Sequence, residues 1–302
     1  MIDIIIPIYN SLKTIDKALS SILTQLKVNV KVYLIDDNSD EDYTQVLNYY
    51  NSLLDITYIK LDKNYGPGYA RKVGLEKSNS KYITFLDSDD ILGTPLALNT
   101  LYNAINENEA DITTSTIYEE LDNGYRLYHN DNIGLHGKIY RRSFIEEHNI
   151  TFPNTRVNED TYFNALMILN NAKFCNIDDL TYYWCNNKDS ICRKDVNKHY
   201  IEDIISYSNT LVAVIHDFLK NHEIYDIQVL KTYLSESIVN IFFKYYIAPP
   251  EIKDVVYKSL LDILNIYLKY DEIDNIDKNI ANEEVYQKYL KFEEQLISLL
   301  RR

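Results

Sequence analysis

The chain is poor in cysteine, glycine, proline and tryptophan. Its 302 residues include three cysteines, seven glycines, six prolines and one tryptophan. The cysteines are odd in number and have no C-x-x-C spacing; they are Cys175, Cys185 and Cys192. Disulfide frameworks and structural zinc sites need paired or closely spaced cysteines, so the sequence favours neither of them. We expect three ordinary thiols in a reducing compartment.

The chain also lacks long apolar runs and an excess of positive charge. No window approaches the ~18 uninterrupted apolar residues of a membrane span, and residues 1–10 have no basic leader of the signal-peptide type. We therefore expect a cytoplasmic protein, with peripheral contact at the inner membrane face left open. The net charge of −14 argues against a nucleic-acid partner, because duplexes are bound through clustered basic side chains.

What the chain does have is a strand–helix alternation in its first part. Apolar runs predict four strands, with amphipathic helices between them; these strands are expected at residues 2–8, 30–35, 56–61 and 82–86. Such a succession predicts an α/β fold with a mostly parallel central sheet, right-handed crossovers and flanking helices.

The later pattern is less regular. Asp122-Asn123-Gly124 has the composition of a tight hairpin turn, and two short strands are expected at residues 173–177 and 180–185. From residue 198 the pattern is one of long amphipathic helices without a single glycine.

These changes of pattern predict a division of the chain into domains. One domain is expected over residues 1–197, with a first half at 1–95 and a second half at 96–197. Residues 198–302 are expected to form a C-terminal helical region.

Polar residues follow three of the predicted strands, at Tyr9-Asn10, at Asp36-Asp37 and at residues 87–90. The carboxyl ends of parallel strands meet at one edge of a sheet, where α/β proteins bind their ligands. Asp87 and Asp89, one position apart, could share a hard divalent cation, which prefers oxygen ligands. The pattern predicts a metal-and-phosphate site, with a helix cap and turn at the strand exit as the structural alternative.

Several motifs resemble the ordered motif set of family 2 inverting glycosyltransferases, which have the GT-A fold. In the first half these are IIIPIYN (4–10), LIDDNSD (34–40), NYGPGYARKVGL (64–75) and YITFLDSDD (82–90). The later segments GKIYRRSFIEEHNITFP and VNEDTYF resemble the acceptor-side half of the same family. The resemblance covers about residues 2–190 and keeps the order and spacing of the motifs, whereas residues 198–302 resemble no family that we can name.

The resemblance implies a Rossmann-like GT-A domain whose first half binds a nucleotide sugar and whose second half binds the acceptor. It implies inverting transfer from a nucleotide donor, with UDP as the expected nucleotide, to an acceptor hydroxyl. The product would belong to polysaccharide, glycolipid or related glycoconjugate synthesis. Mn²⁺ or Mg²⁺ is the expected cofactor. The chain lacks the Gln-x-x-Arg-Trp element of processive synthases, which favours a non-processive enzyme.

The resemblance also implies roles for individual residues. Asp160 would be the general base that takes the proton from the acceptor, and Asp89 would be the metal ligand. Apart from the resemblance, we expect Asp90 to be a helix-start cap rather than a ligand. The nucleotide sugar would be held by Pro7, Tyr9, Asp37, Arg71, Asp87, Ser88 and Arg193.

Other interpretations remain open at this point. A haloacid dehalogenase-like phosphatase would use Asp87 as nucleophile and Asp89 as acid, and an inactive domain would only bind nucleotide sugars. In structural terms, Glu159-Asp160 could simply cap a helix, Arg71 could be a surface charge, and His136 could be a structural histidine. The C-terminal helices could form a homo-oligomer or recruit the acceptor.

Overall fold

The computed structural model describes residues 1–129, 131–155, 157–188, 190 and 196–301, and of residues 196–199 only the backbone. Two compact units are present. The first comprises Met1–Asn164 and Ala172–Asp189, and the second Ala165–Asn171 and Ser190–Arg302. The domain boundary expected at residue 197 stays a prediction.

A mixed sheet forms the centre of the first unit. In the described part of the chain it has nine strands: β1 (Ile2–Ile8), β2 (Val30–Asp36), β3 (Ile56–Lys60), β4 (Tyr82–Phe85), β5 (Ile91–Leu92), β6 (Ile112–Leu121), β7 (Gly124–Tyr128), β8 (Lys138–Arg141) and β9 (Phe174–Trp184). The helices that begin in this unit are α1 (Ile15–Leu23), α2 (Thr44–Tyr50), α3 (Pro67–Lys77), α4 (Ala97–Glu107), α5 (Arg142–Glu147) and α6 (Glu159–Leu169). The α/β fold and the four early strands are thus confirmed.

The sheet is parallel in only part of its width. Its order is β3-β2-β1-β4-β8-β6-β9-β5, with β7 paired to β6. The strands β3, β2, β1 and β4 are parallel, whereas β8 is antiparallel to both β4 and β6. The tight turn at Asp122-Asn123, followed by Gly124 with φ +118°, makes β6 and β7 an antiparallel hairpin, as its composition predicts. "Mostly parallel" therefore describes the first half, whereas the second half is mixed, with β6 and β9 parallel to each other.

Strand β1 lies in the middle of the parallel part and is buried along most of its length, which explains its continuous apolar run. Its one charged residue, Asp3, is fully buried. The Asp3 carboxylate accepts hydrogen bonds from the backbone N–H groups of Asn79 (2.7 Å) and Ser80 (2.6 Å), just before β4. These bonds satisfy the charge and fix the start of β4. This strand leads to residues 87–90, which are called the acidic cluster.

One expectation for the second half was wrong. The predicted short strands at residues 173–177 and 180–185 form the single strand β9. The register of β9 against β6 shifts on both sides of Thr116, so an irregularity inside one strand had the sequence signature of a break. The two-residue strand β5, which pairs with β9 directly after the acidic cluster, was not predicted.

The second unit is built from helices, as expected for the C-terminal region. They are α7 (Val196–Asn221), α8 (Ile227–Ile247), α9 (Pro250–Tyr267) and α10 (Glu283–Leu300), with short 3₁₀ turns at Ile273–Asn275 and Asp277–Asn279. Asp226 caps α8 by accepting the N–H of Gln228 at 2.8 Å, and Asn282 caps α10. None of the described helices combines the length and the apolar character that crossing a membrane requires.

Candidate active site

The polar ends of β1, β2 and β4 lie at one edge of the sheet, as predicted. The backbone N–H of Asp37 donates to the carbonyl of Ile8 (2.8 Å), and that of Leu86 donates to Ile5 (3.1 Å). The hydroxyl of Ser88 donates to that of Ser11 at 2.9 Å, so the acidic segment after β4 contacts the segment after β1. The segments that follow β1, β2 and β4, which include Tyr9, Asp37 and Ser88, are therefore held together by these hydrogen bonds.

Three residues assigned to the nucleotide occupy distinct positions at this edge. Tyr9 is 49% exposed, and Pro7 is half-buried. Asp37 is buried, and its carboxylate accepts the N–H groups of Tyr65 and Gly66, both at 2.7 Å. Asp37 thereby anchors the Tyr65-Gly66 segment that leads into α3, and its contact with the nucleotide stays a prediction.

Arg71 is buried and joins the two halves of the unit, which was not foreseen. Its NH2 group donates to Asp87 Oδ1 (2.5 Å), after β4, and its NH1 group donates to the Glu159 carboxylate, at the start of α6. Burial alone would lower the pKa of Arg71, but Asp87 and Glu159 outweigh it and raise this pKa further. Arg71 is thus neither a surface charge nor a cation free for phosphate, and its predicted contact with the nucleotide remains untested.

A glycine permits this close approach of α3 to the second half. A Cβ atom on Gly68 would lie 2.7 Å from the carbonyl oxygen of Pro153 and 3.0 Å from that of Thr155. Real Cβ atoms do not come so close to backbone oxygens. Gly68 therefore lets the first turn of α3 pack against the segment that precedes α6, which brings Arg71 within reach of Glu159.

Asp87 lies between Arg71 and His136. The Nε2 atom of His136 is 3.3 Å from Asp87 Oδ2 and 3.8 Å from Asp90 Oδ2. Burial by itself would raise the pKa of Asp87, but Arg71 first and His136 second hold it well below its usual value. Burial would likewise lower the pKa of His136, yet its hydrogen bond to Asp87 raises it. Asp87 is therefore ionised throughout the physiological range.

Asp87, Asp90 and His136 could hold a metal ion, since one ligand atom from each lies within 4.8 Å of the others. Two carboxylate oxygens and an imidazole nitrogen suit Mn²⁺, and the oxygens suit Mg²⁺. His136 was left out of the predicted site because a lone histidine carries no local signal. The His136 ring packs against Tyr182 (4.9 Å between ring centroids) and Trp184 (5.2 Å), which belong to β9 and are distant in the sequence.

Asp90 is not a helix cap, contrary to expectation, because strand β5 and no helix follows it. It is 1% exposed and accepts hydrogen bonds from the Tyr182 hydroxyl (2.7 Å) and the Cys185 backbone N–H (2.8 Å). Burial raises the pKa of Asp90 to about 8. These contacts connect the acidic cluster to β9, and the raised pKa means that a bound cation would compete with a proton there.

Asp89, the predicted metal ligand, is half-buried and accepts a hydrogen bond from the side-chain amide of Asn187 (2.9 Å). Burial and the nearby Asp87 raise its pKa. It does not belong to the group of three whose ligand atoms converge. Its role as a ligand stays a prediction, and Arg193, the predicted phosphate ligand, lies outside the described residues.

Asp160, the predicted base, is the second residue of α6 and neighbours Glu159. Its Oδ1 accepts the backbone N–H of Thr161 at 2.7 Å. Burial raises the pKa of Asp160, an effect that the hydrogen bond and Arg71 only partly offset. A carboxylate with a raised pKa has more affinity for a proton, which is what a general base at the acceptor requires.

Comparison with known families and proteins gives an independent result. The model of glycosyl transferase family 2 matches residues 3–166, more than half of the 302-residue chain. A poly(ribitol-phosphate) beta-glucosyltransferase of Bacillus spizizenii is 29% identical over 230 residues, which cover 68% of this chain and 36% of that protein. Glycosyltransferase GlyA of Streptococcus pneumoniae is 26% identical over 271 residues, or 79% of this chain and 38% of that protein. The chain thus spans little more than a third of these relatives.

Solved structures show the same fold. Residues 1–349 of Staphylococcus aureus TarS superpose with a TM-score of 0.72 at 18% identity, covering 99% of this chain and 89% of that one. The same fragment in complex with UDP-GlcNAc gives a TM-score of 0.70. These likenesses confirm the expected GT-A fold.

Proposed function

Since the chain belongs to glycosyl transferase family 2, we propose that it is an inverting glycosyltransferase that moves a sugar from a UDP-sugar donor to an acceptor hydroxyl. The observation that carries the proposal is the buried bridge through Arg71. It ties Asp87, at the donor end of the sheet, to Glu159, the neighbour of Asp160. A site for two substrates needs both ends held together, and this bridge supplies that connection.

Asp160 acts as the general base in this proposal. It takes the proton of the acceptor hydroxyl while the hydroxyl oxygen attacks the anomeric carbon and the UDP leaves from the opposite side, which inverts the configuration. Its half-buried position and its raised pKa support this role. Tyr9, Pro7 and Asp37 lie where the nucleotide would bind, at the end of β1 and β2.

The chemistry of the donor set fits a divalent cation. Asp87, Asp90 and His136 would hold Mn²⁺ or Mg²⁺, with Asp89 as a further oxygen donor in the same segment. When bound, such a cation neutralises charge that develops on the departing diphosphate, a contribution worth several kcal/mol. The protein's own part is to keep Asp87 ionised, through Arg71, and to orient His136.

The relatives suggest the substrate classes. One is named as acting on poly(ribitol-phosphate) with glucose, and the superposed structure contains UDP-GlcNAc. We propose UDP-glucose or UDP-GlcNAc as donor and a polyol-phosphate polymer or a related surface glycan as acceptor. A homo-oligomer formed through α7–α10 stays a prediction, which light scattering of the full chain would test.

The phosphatase interpretation is disfavoured because the chain belongs to glycosyl transferase family 2, whose model matches residues 3–166. The inactive binding domain remains an outcome of the experiment below.

The experiment measures UDP release from UDP-glucose and UDP-GlcNAc with Mn²⁺, with and without poly(ribitol-phosphate), in the wild type and Asp160→Asn. We expect acceptor-dependent release that falls at least ~10²-fold in the variant, with UDP affinity retained. Asp254→Asn, at an exposed position of α9, is the matched control and should keep full activity. A wild-type chain that binds UDP but never releases UDP from a donor would indicate an inactive domain. An Asp160→Asn variant with near-normal activity would show that Asp160 is not the base.

A further inference from the structure

The segment that carries His136 is a tight turn held by an aspartate. The Asp131 carboxylate accepts the backbone N–H groups of Ile133 (2.9 Å) and Gly134 (3.1 Å). A Cβ atom on Gly134 would lie 2.7 Å from this carboxylate, so a larger residue there would require the Asp131 side chain to shift. Residues 131–136 are called the His136 loop below.

Asn164 connects the His136 loop to helix α6. It is fully buried, and its Nδ2 group donates to the carbonyl oxygens of Ile133 (2.7 Å) and Gly134 (2.9 Å). Its Oδ1 accepts the hydroxyl of Tyr140 at 3.0 Å. Asn164 follows Asp160 by four residues, a spacing that places both on one face of the helix. A single amide thus joins the proposed base's helix to the loop that presents His136.

Lys138 supports the loop from the sheet. Its side chain is completely buried, with Nζ 3.6 Å from Asp131 Oδ2 and 3.5 Å from the carbonyl oxygen of His136. The attraction within such a buried pair is offset by the desolvation of both charges, so the pair is a weak source of stability. We therefore assign to the Lys138–Asp131 pair the role of fixing the geometry of the loop, and not that of stabilising the fold.

Building on the proposed function, we propose that Asn164, Asp131 and Lys138 are positioning residues that hold His136 and Asp160 at one fixed separation. His136 contacts the donor-side carboxylates, whereas Asp160 serves the acceptor. In-line transfer requires both substrates in a narrow range of geometry, and a displacement of about 1 Å can cost ~10² in rate. The three residues act through their neighbours and do not themselves touch the substrate.

Asn164→Asp tests the connection most directly. The substitution is isosteric and keeps an oxygen for Tyr140, but it removes both N–H donors and turns an oxygen towards two carbonyls. We expect kcat, counted per UDP-binding site by calorimetry in Mn²⁺, to fall about 10- to 100-fold. At saturating Mn²⁺, the KM for the UDP-sugar and the Kd for UDP should change far less than kcat does, because Pro7, Tyr9 and Asp37 are untouched.

Asn170→Asp is the matched control. This asparagine is also buried, but its amide donates to the carbonyl of Leu166 (2.8 Å) and not to the loop. It should lower stability comparably and leave kcat unchanged. Tyr140→Phe is the milder second variant, because it removes only the hydroxyl that orients Asn164 and keeps the core ring. Its kcat should fall severalfold even if Asn164→Asp does not fold.

The outcomes separate this inference from the proposed function. A wild-type chain that releases UDP, together with Asn164→Asp or Tyr140→Phe at unchanged kcat, would overturn the positioning role alone. Equal losses of kcat per site in Asn170→Asp would do the same. A wild-type chain that binds UDP but never releases it from a donor would overturn the proposed function and, with it, the inference.

Discussion

Replacing Arg71 by lysine should destabilise the first unit strongly, although the charge is conserved. Arg71 is 6% exposed and donates from two different nitrogens to Glu159 and Asp87. Lysine has a single nitrogen, so it cannot hold two carboxylates on opposite sides. The Glu159 side chain is 9% exposed and that of Asp87 30%, so Glu159 is the costlier carboxylate to leave unpaired.

The size of the loss follows from this burial. Breaking a buried ion pair costs about 3–5 kcal/mol. Glu159 can escape part of that cost by taking up a proton, because burial already raises its pKa. We therefore expect a loss in the free energy of unfolding of about 2–3 kcal/mol at neutral pH. The loss should shrink as the pH falls, since a protonated Glu159 no longer needs a cation.

Urea unfolding followed by tryptophan fluorescence is the suitable assay. Trp184 is the single tryptophan and lies in the first unit, so the signal does not mix the unfolding of the two units. Arg126→Lys, at an exposed arginine, is the control and should stay within about 0.5 kcal/mol of the wild type. Adding Glu159→Gln to Arg71→Lys should recover part of the loss. A loss below ~1 kcal/mol, or strict additivity of the two changes, would refute the bridge as a buried, coupled unit.

Three further predictions concern pH, metal and the core. At acid pH, kcat/KM should fall with an apparent pKa above the ordinary aspartate pKa of about 3.9. Burial raises the pKa of Asp160, and activity is lost when this carboxylate takes up a proton. A pH–rate profile with an apparent pKa at or below that of an ordinary aspartate would contradict the assignment. Chelation should abolish UDP release and Mn²⁺ should restore it, with His136→Ala needing about tenfold more metal; turnover unaffected by chelator would exclude the cation. Thr113→Val should raise the free energy of unfolding by about 1 kcal/mol, because the buried Thr113 hydroxyl has no partner among the described residues. Thr114→Val should lower the free energy of unfolding, because the Thr114 hydroxyl donates to Asn176. Urea unfolding that shows Thr114→Val to be the more stable of the two variants would contradict this reasoning.

The parallel strands and their acidic ends were predictable because the signals are local. A buried parallel strand is a short apolar run, and the residue after it necessarily lies at the sheet edge, so Asp37 and Asp87 could be placed together from the sequence. The Arg71–Glu159 pair could not, since 88 residues separate its members and their contact depends on how closely α3 packs. Asp90 was misassigned for the same reason: its partner Tyr182 is 92 residues away. What the sequence missed is pairing across the two halves of the unit.

The pairing of Arg71 with Asp87 and Glu159 affects how the site can bind an anionic donor. Arg71, the arginine predicted to meet the nucleotide, already shares its single charge between Asp87 and Glu159, and Lys138 is paired with Asp131. Even with Asp90 protonated, the other described carboxylates of the site outnumber its cations, Arg71, His136 and Lys138; these carboxylates are Asp87, Asp89, Asp131, Glu159 and Asp160. A diphosphate is itself an anion, and like charges at short range repel one another. A divalent cation at the convergent acids removes that repulsion. Cation and donor should consequently bind with positive coupling, each raising the affinity of the site for the other by the same factor.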